Sequence, residues 1–410
     1  VSSALPARLV DGAGLAAHFS RFLGAVPGRL HVAAHSHHPW PDVTFEAQQQ
    51  AWLDAARLMD DKWDEVLGVV LPEAAGHIAG RLGLSDPEAI AFAPSTHALV
   101  MRLLSCLPGP GVSPKTQSPV RILTTDAEFH SFARQAARLE EDGLAAVERV
   151  PAEPFATFPD RFAAAAGRGG HDLVYCSHVF FNSGYVVPDL GVVVEAVPDA
   201  GALVVIDGYH GFMAVPTDLA AIEGRAFYLA GGYKYAMAGE GACFAHCPPG
   251  YAERPRDTGW FAGFAGLSGG PGGKVAYAPG GGRMLGATLD PTGVYRFNAV
   301  QRWLDDLGVT VADVHAHVER LQQRFLGTGS HPELLPGPDA TDRGHFLTFR
   351  LPGAAAVHAA LHARGVITDS RDDRLRIGFG LYHDDADIDE LARRLEGAPG
   401  WPQAKRGVTT

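Results

Sequence analysis

The sequence predicts an α/β chain built on a largely parallel, doubly wound sheet, with a smaller α/β unit following it. Three observations carry this reading. Apolar runs of strand length alternate along the chain with stretches of helical periodicity, the pattern of parallel strands joined by crossover helices. Two consecutive runs, ALVVIDG from Ala202 and AFYLAGG from Ala226, deliver polar groups at or just past their ends, Asp207 and then Lys234. In open α/β sheets ligands sit at the carboxyl ends of strands, so these two groups should converge on one crevice. A chain of 410 residues, 46% of them apolar, can also bury a large core and a second, smaller one. The expected organisation is an arm over residues 1–43, a large domain over 44–292 and a small domain over 293–410.

Composition narrows the function classes. The net charge of −12 comes without a basic stripe, which argues against nucleic acid and anionic membrane as partners. No run of apolar residues is long enough for a transmembrane helix, and VSSALPARLV lacks the apolar core of a secretory signal. Cys106, Cys176, Cys243 and Cys247 lie in or beside apolar segments without paired zinc spacing, which suggests reduced core thiols and a cytoplasmic setting. A soluble globular enzyme acting on a small molecule is the expectation.

The arm centres on HVAAHSHHPWP, His31 to Pro41. His35, His37 and His38 invite a metal reading, but none is spaced i,i+4 and no cysteine or carboxylate stands beside them, so no metal is expected. Thr44 to Leu67 reads as a helix with Phe45, Trp52, Leu53 and Ala56 as its apolar positions, and Pro72 to Leu82 as a second. Ala89 to Ala93 reads as a strand leading through Pro94 into Ser95-Thr96-His97 and a helix to Leu107. Ser and Thr at a helix start either cap its free N–H groups or help that terminus hold a phosphate; both roles fit.

After a Pro/Gly/Ser linker at 108–119, Val120 to Thr124 forms the next strand and feeds Asp126-Ala127-Glu128-Phe129 and a helix to Glu141. A strand from Asp172 to Ser177 is expected to continue through His178 to Gly184, followed by a helix from Leu190 to Val197. The Asp207 strand comes next, then the Phe227–Ala230 strand and an edge strand from Gly239 to His246. Residues 250–292 are glycine-rich, yet Lys274 is not set in a phosphate-binding P-loop pattern. Tyr295 to Leu326 reads as helical with a break near Gly308. Strand 345–351, helix 354–363, strand 375–378 and helix 385–395 complete the small domain.

Lys234, between Tyr233 and Tyr235 at the end of a buried strand, is either desolvated for a purpose or reaching outward to water. Desolvation lowers a lysine's pKa and exposes the lone pair that Schiff-base chemistry needs. Asp207 can be read as a turn-capping carboxylate, or as the partner that keeps a pyridine nitrogen protonated. Arg376, in LRIGFGLYHDDADID, presents a planar fork suited to a carboxylate.

Asp207-x-x-His210, Tyr233-Lys234-Tyr235 and the Arg376 segment together resemble the class V group of fold-type I pyridoxal 5'-phosphate (PLP) enzymes, most closely kynureninases, which share Tyr-Lys-Tyr. The resemblance runs in order along nearly the whole chain. It implies a three-layer αβα large domain and a homodimer with a shared active site. It also implies PLP bound as a Schiff base by Lys234, with Asp207 on the ring nitrogen and His210 positioning Asp207 or the phosphate. Tyr233 is implied as an acid or phosphate ligand. Thr96 and the His97 amide, with Ser95 beside them, would seat the phosphate, and Phe129 would stack on the ring. Trp260 and Thr288 match positions that reach the partner subunit's cofactor, and Arg376 would hold the substrate carboxylate. The family's arm ends in a turn that reaches the active site; here that turn is histidine-rich, which makes His35 and His37 candidates for a wall of the substrate pocket. Asn182 stands one residue late for the family's asparagine, and a one-residue shift on a strand turns a side chain to the other face.

Cysteine desulfurases use a cysteine from the C-terminal region, and none follows Cys247 here. Kynureninase-like hydrolysis of a Cβ–Cγ bond, or a related β-elimination, fits Tyr-Lys-Tyr and Phe129. Class V transamination and non-catalytic PLP binding are the alternatives.

Overall fold

The computed structural model describes residues 15–108, 118–266, 274–337 and 343–402. Its centre is a seven-stranded sheet in the spatial order Ile90–Ala93, Cys243–His246, Ala226–Gly231, Leu203–Asp207, Leu173–Ser177, Val120–Thr125 and Ala145–Val150. Cys243–His246 is antiparallel to both neighbours and every other pairing is parallel, so it alone runs against the rest. Six strands therefore open their carboxyl ends on one edge. The strands from Leu173, Leu203 and Ala226 are buried almost throughout, as continuous apolar runs in a sheet covered on both faces must be.

Apolar clusters lie on the two faces of this sheet. One joins Phe92, Val174, Ile206 and Tyr228 to Phe158, Phe162 and the helices from Leu71 and Thr292; the other joins Leu99, Leu103 and Phe132 to Tyr175, Val205 and Phe227. A third core, containing Phe325, Phe349, Ile377, Leu391 and Trp401, sits under a four-stranded antiparallel sheet of Glu333–Leu335, Phe346–Arg350, Asp369–Arg371 and Arg374–Gly378. The helices Thr292–Leu307 and Val311–Leu326 meet at Gly308, whose φ of +65° ends the first, while a Thr310–Asp313 capping box starts the second. The arm is tied to the C-terminal unit: Leu30–His31 pairs in parallel with Val366–Ile367, and the His31 carbonyl accepts from the Tyr382 hydroxyl at 3.0 Å.

Several elements differ from the sequence expectation. The first long helix ends at Leu58, where Met59 takes φ +52°, and short 3₁₀, α and π turns lead into the Leu71–Leu82 helix. Its buried stripe is Thr44, Ala47, Ala51 and Asp54, small or polar positions against the Thr292–Leu307 helix, while Phe45, Trp52 and Leu53 face outward. Asp54 is stabilised there by Gln50, Arg57 and the Tyr295 hydroxyl. The strand from Leu173 stops at Ser177. The chain then turns, with Phe180 accepting the Gly184 N–H at 2.8 Å and Gly184 at φ +76°. Cys243–His246 is not the edge of the sheet, because Ile90–Ala93 covers it. The Ala145–Val150 strand and the Phe158–Gly167 helix carry no clear sequence signal; alternation in AAVERV is broken by its charges. Most of the 108–119 linker and the GGPGG tract lie outside the described residues. Among the described residues no helix is long and apolar enough to cross a membrane.

Candidate active site

A cavity of about 480 Å³ opens at the carboxyl edge of the large sheet and is closed on one side by the small one. Strand ends supply its floor. The Leu203–Asp207 strand delivers Asp207, Tyr209 and His210; the Ala226–Gly231 strand delivers Tyr233 and Lys234; Val120–Thr125 leads to Phe129, and Ile90–Ala93 to Ser95 and Thr96. Arg371 and Arg376 come from the small sheet.

Lys234 is 9% exposed. Its Nζ donates to the His35 carbonyl at 2.9 Å and lies 2.7 Å from His210 Nε2. The rings of Phe129 and Tyr209 stand 5.9 and 5.8 Å from the same nitrogen. Burial first, and then the charge of Arg376, lower the Lys234 pKa to about 7. A substantial neutral fraction is therefore present near pH 7. Burial and the cationic neighbours Lys234 and Arg376 push His210 well below its ordinary value, so it is a neutral imidazole. Its Nδ1 is buried without a hydrogen-bond partner among the described residues.

Asp207 Oδ1 accepts the Tyr209 N–H at 3.0 Å and Oδ2 accepts the Tyr175 hydroxyl at 2.8 Å. Burial raises its pKa, and these two donors and Lys234 oppose the rise. Glu128 lies beneath, accepting from Thr125 Oγ1 at 2.7 Å and from the N–H and hydroxyl of Ser177 at 3.1 and 2.5 Å. Burial lifts its pKa to about 7.

Ser95 is the N-cap of the Thr96–Cys106 helix, its hydroxyl accepting the Ala98 N–H at 3.2 Å. Ser95 and Thr96 both line the cavity, whereas the His97 side chain lies on the outer surface. Phe129 is 41% exposed, presents its ring to the cavity and meets Phe181 edge-on at 5.5 Å. The side chains of His35 and His37 do not line the cavity; Ser36 between them does. His35 is wholly buried, stacked on Phe346 at 4.7 Å, and His37 packs edge-on against Tyr233 at 5.5 Å. Trp260 and Thr288 also stand apart from the lining and bond to each other, Trp260 Nε1 donating to Thr288 Oγ1 at 3.0 Å. Asn182 is not among the lining residues, whereas its neighbour Phe181 is.

Arg376 is buried. It donates to the Phe181 carbonyl through Nη1 and to Asp369 through Nη2. Tyr175, Tyr209, Phe181, Asp369 and Arg371 were not singled out in the sequence. For the last two a signal existed: Asp-Ser-Arg places two charges on the same face of a strand directly preceding the Arg376 strand.

The "Kynureninase C-terminal domain" family model matches residues 314–395. A search of curated protein sequences returned no match. Among solved structures, the chain superposes on the cystine C-S lyase C-DES bound to its reaction product cysteine persulfide with a TM-score of 0.77 at 17% identity, covering 92% of this chain and 100% of that one. The cysteine desulfurase from Thermococcus onnurineus NA1 gives 0.71 at 16% identity over 96% and 98% of the two chains. The Escherichia coli cysteine desulfurase CsdA gives 0.70 at 16% over 93% and 98%. The seven-stranded sheet with one reversed strand and the small antiparallel sheet is thus the fold of fold-type I PLP enzymes.

Proposed function

We propose that the chain is a PLP-dependent enzyme acting on an α-amino acid, with kynureninase-like hydrolysis of a Cβ–Cγ bond as its reaction. The observation that carries this is the cavity itself, where a desolvated lysine, a hydrogen-bonded carboxylate, an open aromatic face and a capped helix N-terminus surround one space. These features fit PLP: the helix start of Ser95 and Thr96 for its phosphate, Phe129 for a ring face, Asp207 for the ring nitrogen, and Lys234 for the aldehyde. His210 Nδ1, buried and unpartnered, offers one further polar contact. PLP supplies an electrophilic aldehyde and a protonated ring that takes up the electron pair released at the substrate Cα.

The remaining work belongs to the chain's own residues. Lys234, neutral in part at pH 7, would hold the PLP aldehyde at rest and, once released from it, would carry the substrate Cα proton. His210, neutral and 2.7 Å from Nζ, accepts a hydrogen bond from that amine and orients it. The Tyr175 and Tyr209 donors hold the Asp207 carboxyl and oppose the burial that raises its pKa. Arg376 draws the substrate carboxylate toward the small-domain wall, and Phe129 and Phe181 give the pocket an apolar side. Tyr233, whose pKa is raised chiefly by burial, stays a protonated donor at the cavity edge. The matched C-terminal family model, which includes Arg376, supports the kynureninase reading over transamination. A β-elimination is the second reading, favoured by the overall likeness to a cystine C-S lyase. A homodimer with a site shared between subunits, and the division into residues 1–43, 44–292 and 293–410, belong to the same proposal.

The test is an absorbance spectrum of purified protein with PLP, then with L-kynurenine, 3-hydroxykynurenine or L-cystine. A visible band lost in Lys234→Ala, with anthranilate released from L-kynurenine, is expected. No band with folded protein would overturn the PLP assignment. A band with pyruvate from L-cystine and no anthranilate would move the reaction to β-elimination.

A further inference from the structure

Glu128 is buried behind the cavity and is not among its lining residues, whereas Ser177 and Asp207 are. Ser177 and Asp207 end adjacent parallel strands as register partners, so their side chains leave the sheet on the same face. Among the described residues the Ser177 hydroxyl has one hydrogen-bond partner, Glu128 Oε2 at 2.5 Å.

Counting protons fixes the sense of that bond. Glu128 Oε1 accepts from two groups. One is the Ser177 backbone N–H at 3.1 Å, which can only donate. The other is Thr125 Oγ1 at 2.7 Å, which already accepts the Ala127 N–H at 3.0 Å and so has its own hydrogen to give. Oε1 is thus filled, and a proton bound by Glu128 belongs on Oε2, pointing at Ser177 Oγ. Two hydrogens cannot share that contact. Ionised, Glu128 takes the serine hydrogen and leaves only lone pairs for the cavity. Protonated, Glu128 donates to Ser177 and frees the serine hydrogen for a ligand.

The titratable groups facing Glu128 are Asp207, whose charge favours its protonated form, and Tyr175 and Cys176, which burial keeps protonated. Burial brings Glu128 itself to about 7, so both forms are present near neutrality. We infer that Glu128 is a positioning residue, which by holding or releasing one proton at Oε2 sets whether Ser177 offers the bound molecule a hydrogen or a lone pair. The first suits an anionic ligand oxygen, the second a ligand N–H or O–H. The inference rests on the PLP reading for its ligand, and the first arm of its test needs none.

Infrared difference spectra of the PLP-free protein are taken between about pH 5.5 and about pH 8.5, either side of the Glu128 value. A carboxylic-acid C=O band at the lower pH is expected. It should vanish in Glu128→Gln and shift in Ser177→Ala, where the acid hydrogen has lost its acceptor. The second arm measures the dissociation constant of pyridoxine 5'-phosphate, which has no aldehyde to bond Lys234, by calorimetry at both pH values. By the same proton count a glutamine sets its carbonyl under the two donors and its NH2 toward Ser177, so Glu128→Gln reproduces the protonated form at every pH. It should match wild type at the lower pH and bind this anion about tenfold more tightly at the higher one. In a Ser177→Ala background the same substitution should change nothing, whereas a simple loss of charge would act there too. Ser177→Thr keeps the hydroxyl and should keep the wild-type pH response; circular dichroism checks that each variant folds. A band unmoved in Ser177→Ala, or equal effects of Glu128→Gln with and without the serine hydroxyl, would overturn the inference and leave the PLP reading standing. Folded wild-type protein that does not bind pyridoxine 5'-phosphate would overturn the PLP reading, and the infrared band alone would then decide where the Glu128 proton sits.

Discussion

The Tyr175 hydroxyl donates to Asp207 Oδ2 at 2.8 Å, while the Tyr175 ring lies flat on Phe132 at a centroid separation of 3.6 Å. Stacking fixes the ring, and the fixed ring fixes the carboxylate. Burial favours the neutral acid at Asp207, so each donor that opposes it extends the pH range over which the charge persists. Tyr175→Phe keeps the stack and removes the donor. It should cost about 1–3 kcal/mol in thermal or denaturant unfolding. It should also raise the Asp207 pKa, so that the acid limb of the kcat–pH profile, and of the bound PLP spectrum, moves to higher pH. A stability loss with an unmoved acid limb would make Tyr175 purely structural.

Two buried groups bend the stability curve of the PLP-free protein in opposite directions. Glu128 rises from 4.5 to about 7 on folding, so the native state holds the extra proton between those values and stability falls as pH rises through them. Lys234 drops from 10.5 to about 7, so the unfolded state holds the extra proton and stability rises with pH from 7 upward. The full limbs amount to about 3 kcal/mol for Glu128 and about 5 kcal/mol for Lys234. The difference between wild type and Glu128→Gln, measured by urea unfolding, should change below pH 7 and flatten above it. The difference for Lys234→Met should behave in the opposite sense. A pH-independent difference for either would mean that the group is not shifted.

The contrast between Lys234 and His35 shows what a sequence discloses. Lys234 and Asp207 were legible because a polar residue that interrupts or ends a buried strand has few structural excuses, and parallel topology brings strand ends together. Arg376 was legible as a residue but not as a pair: its partner Asp369 is set by antiparallel register, which depends on a turn the sequence does not specify. The sequence points to His35 and His37 as a wall of the pocket, yet the arm presents the His35 carbonyl to Lys234 and Ser36 to the cavity. Which side of an irregular segment faces inward follows from backbone geometry without a repeat. Likewise Phe45, Trp52 and Leu53 have helical spacing, but the helix buries its small stripe, because close approach to the Thr292–Leu307 helix suits alanine better than tryptophan.

Gly208, directly after Asp207, is required by contact and not by φ. A Cβ there would sit 1.9 Å from Tyr228 Cζ and 2.1 Å from its oxygen. Tyr228 is wholly buried and has no room to withdraw. Gly208→Ala should therefore destabilise the protein by about 3 kcal/mol or more and displace Asp207, weakening PLP binding. Tyr228→Leu opens the space, so the double variant should recover part of the loss. A double-mutant cycle of thermal unfolding with no coupling between the two sites would refute the steric account.

Trp260 and Thr288 give the sharpest test of a shared site. They bond to each other outside the cavity lining, Trp260 is 38% exposed, and Phe264 beside it is also exposed. If these residues contact the phosphate bound in a partner subunit, Thr288→Val should weaken PLP by about tenfold to a hundredfold without changing the circular dichroism. Complementation distinguishes a partner contact from an indirect effect. In a mixed dimer of Lys234→Ala and Thr288→Val subunits, a shared arrangement places Lys234 of the second chain beside Thr288 of the first, and so restores one wild-type site. With sites confined to single chains, no wild-type site can form. Co-refolded mixtures at a PLP concentration too low to fill Thr288→Val alone should regain part of the visible band. A mixture that shows no more band than the average of the two parents would place Thr288 outside the partner's site.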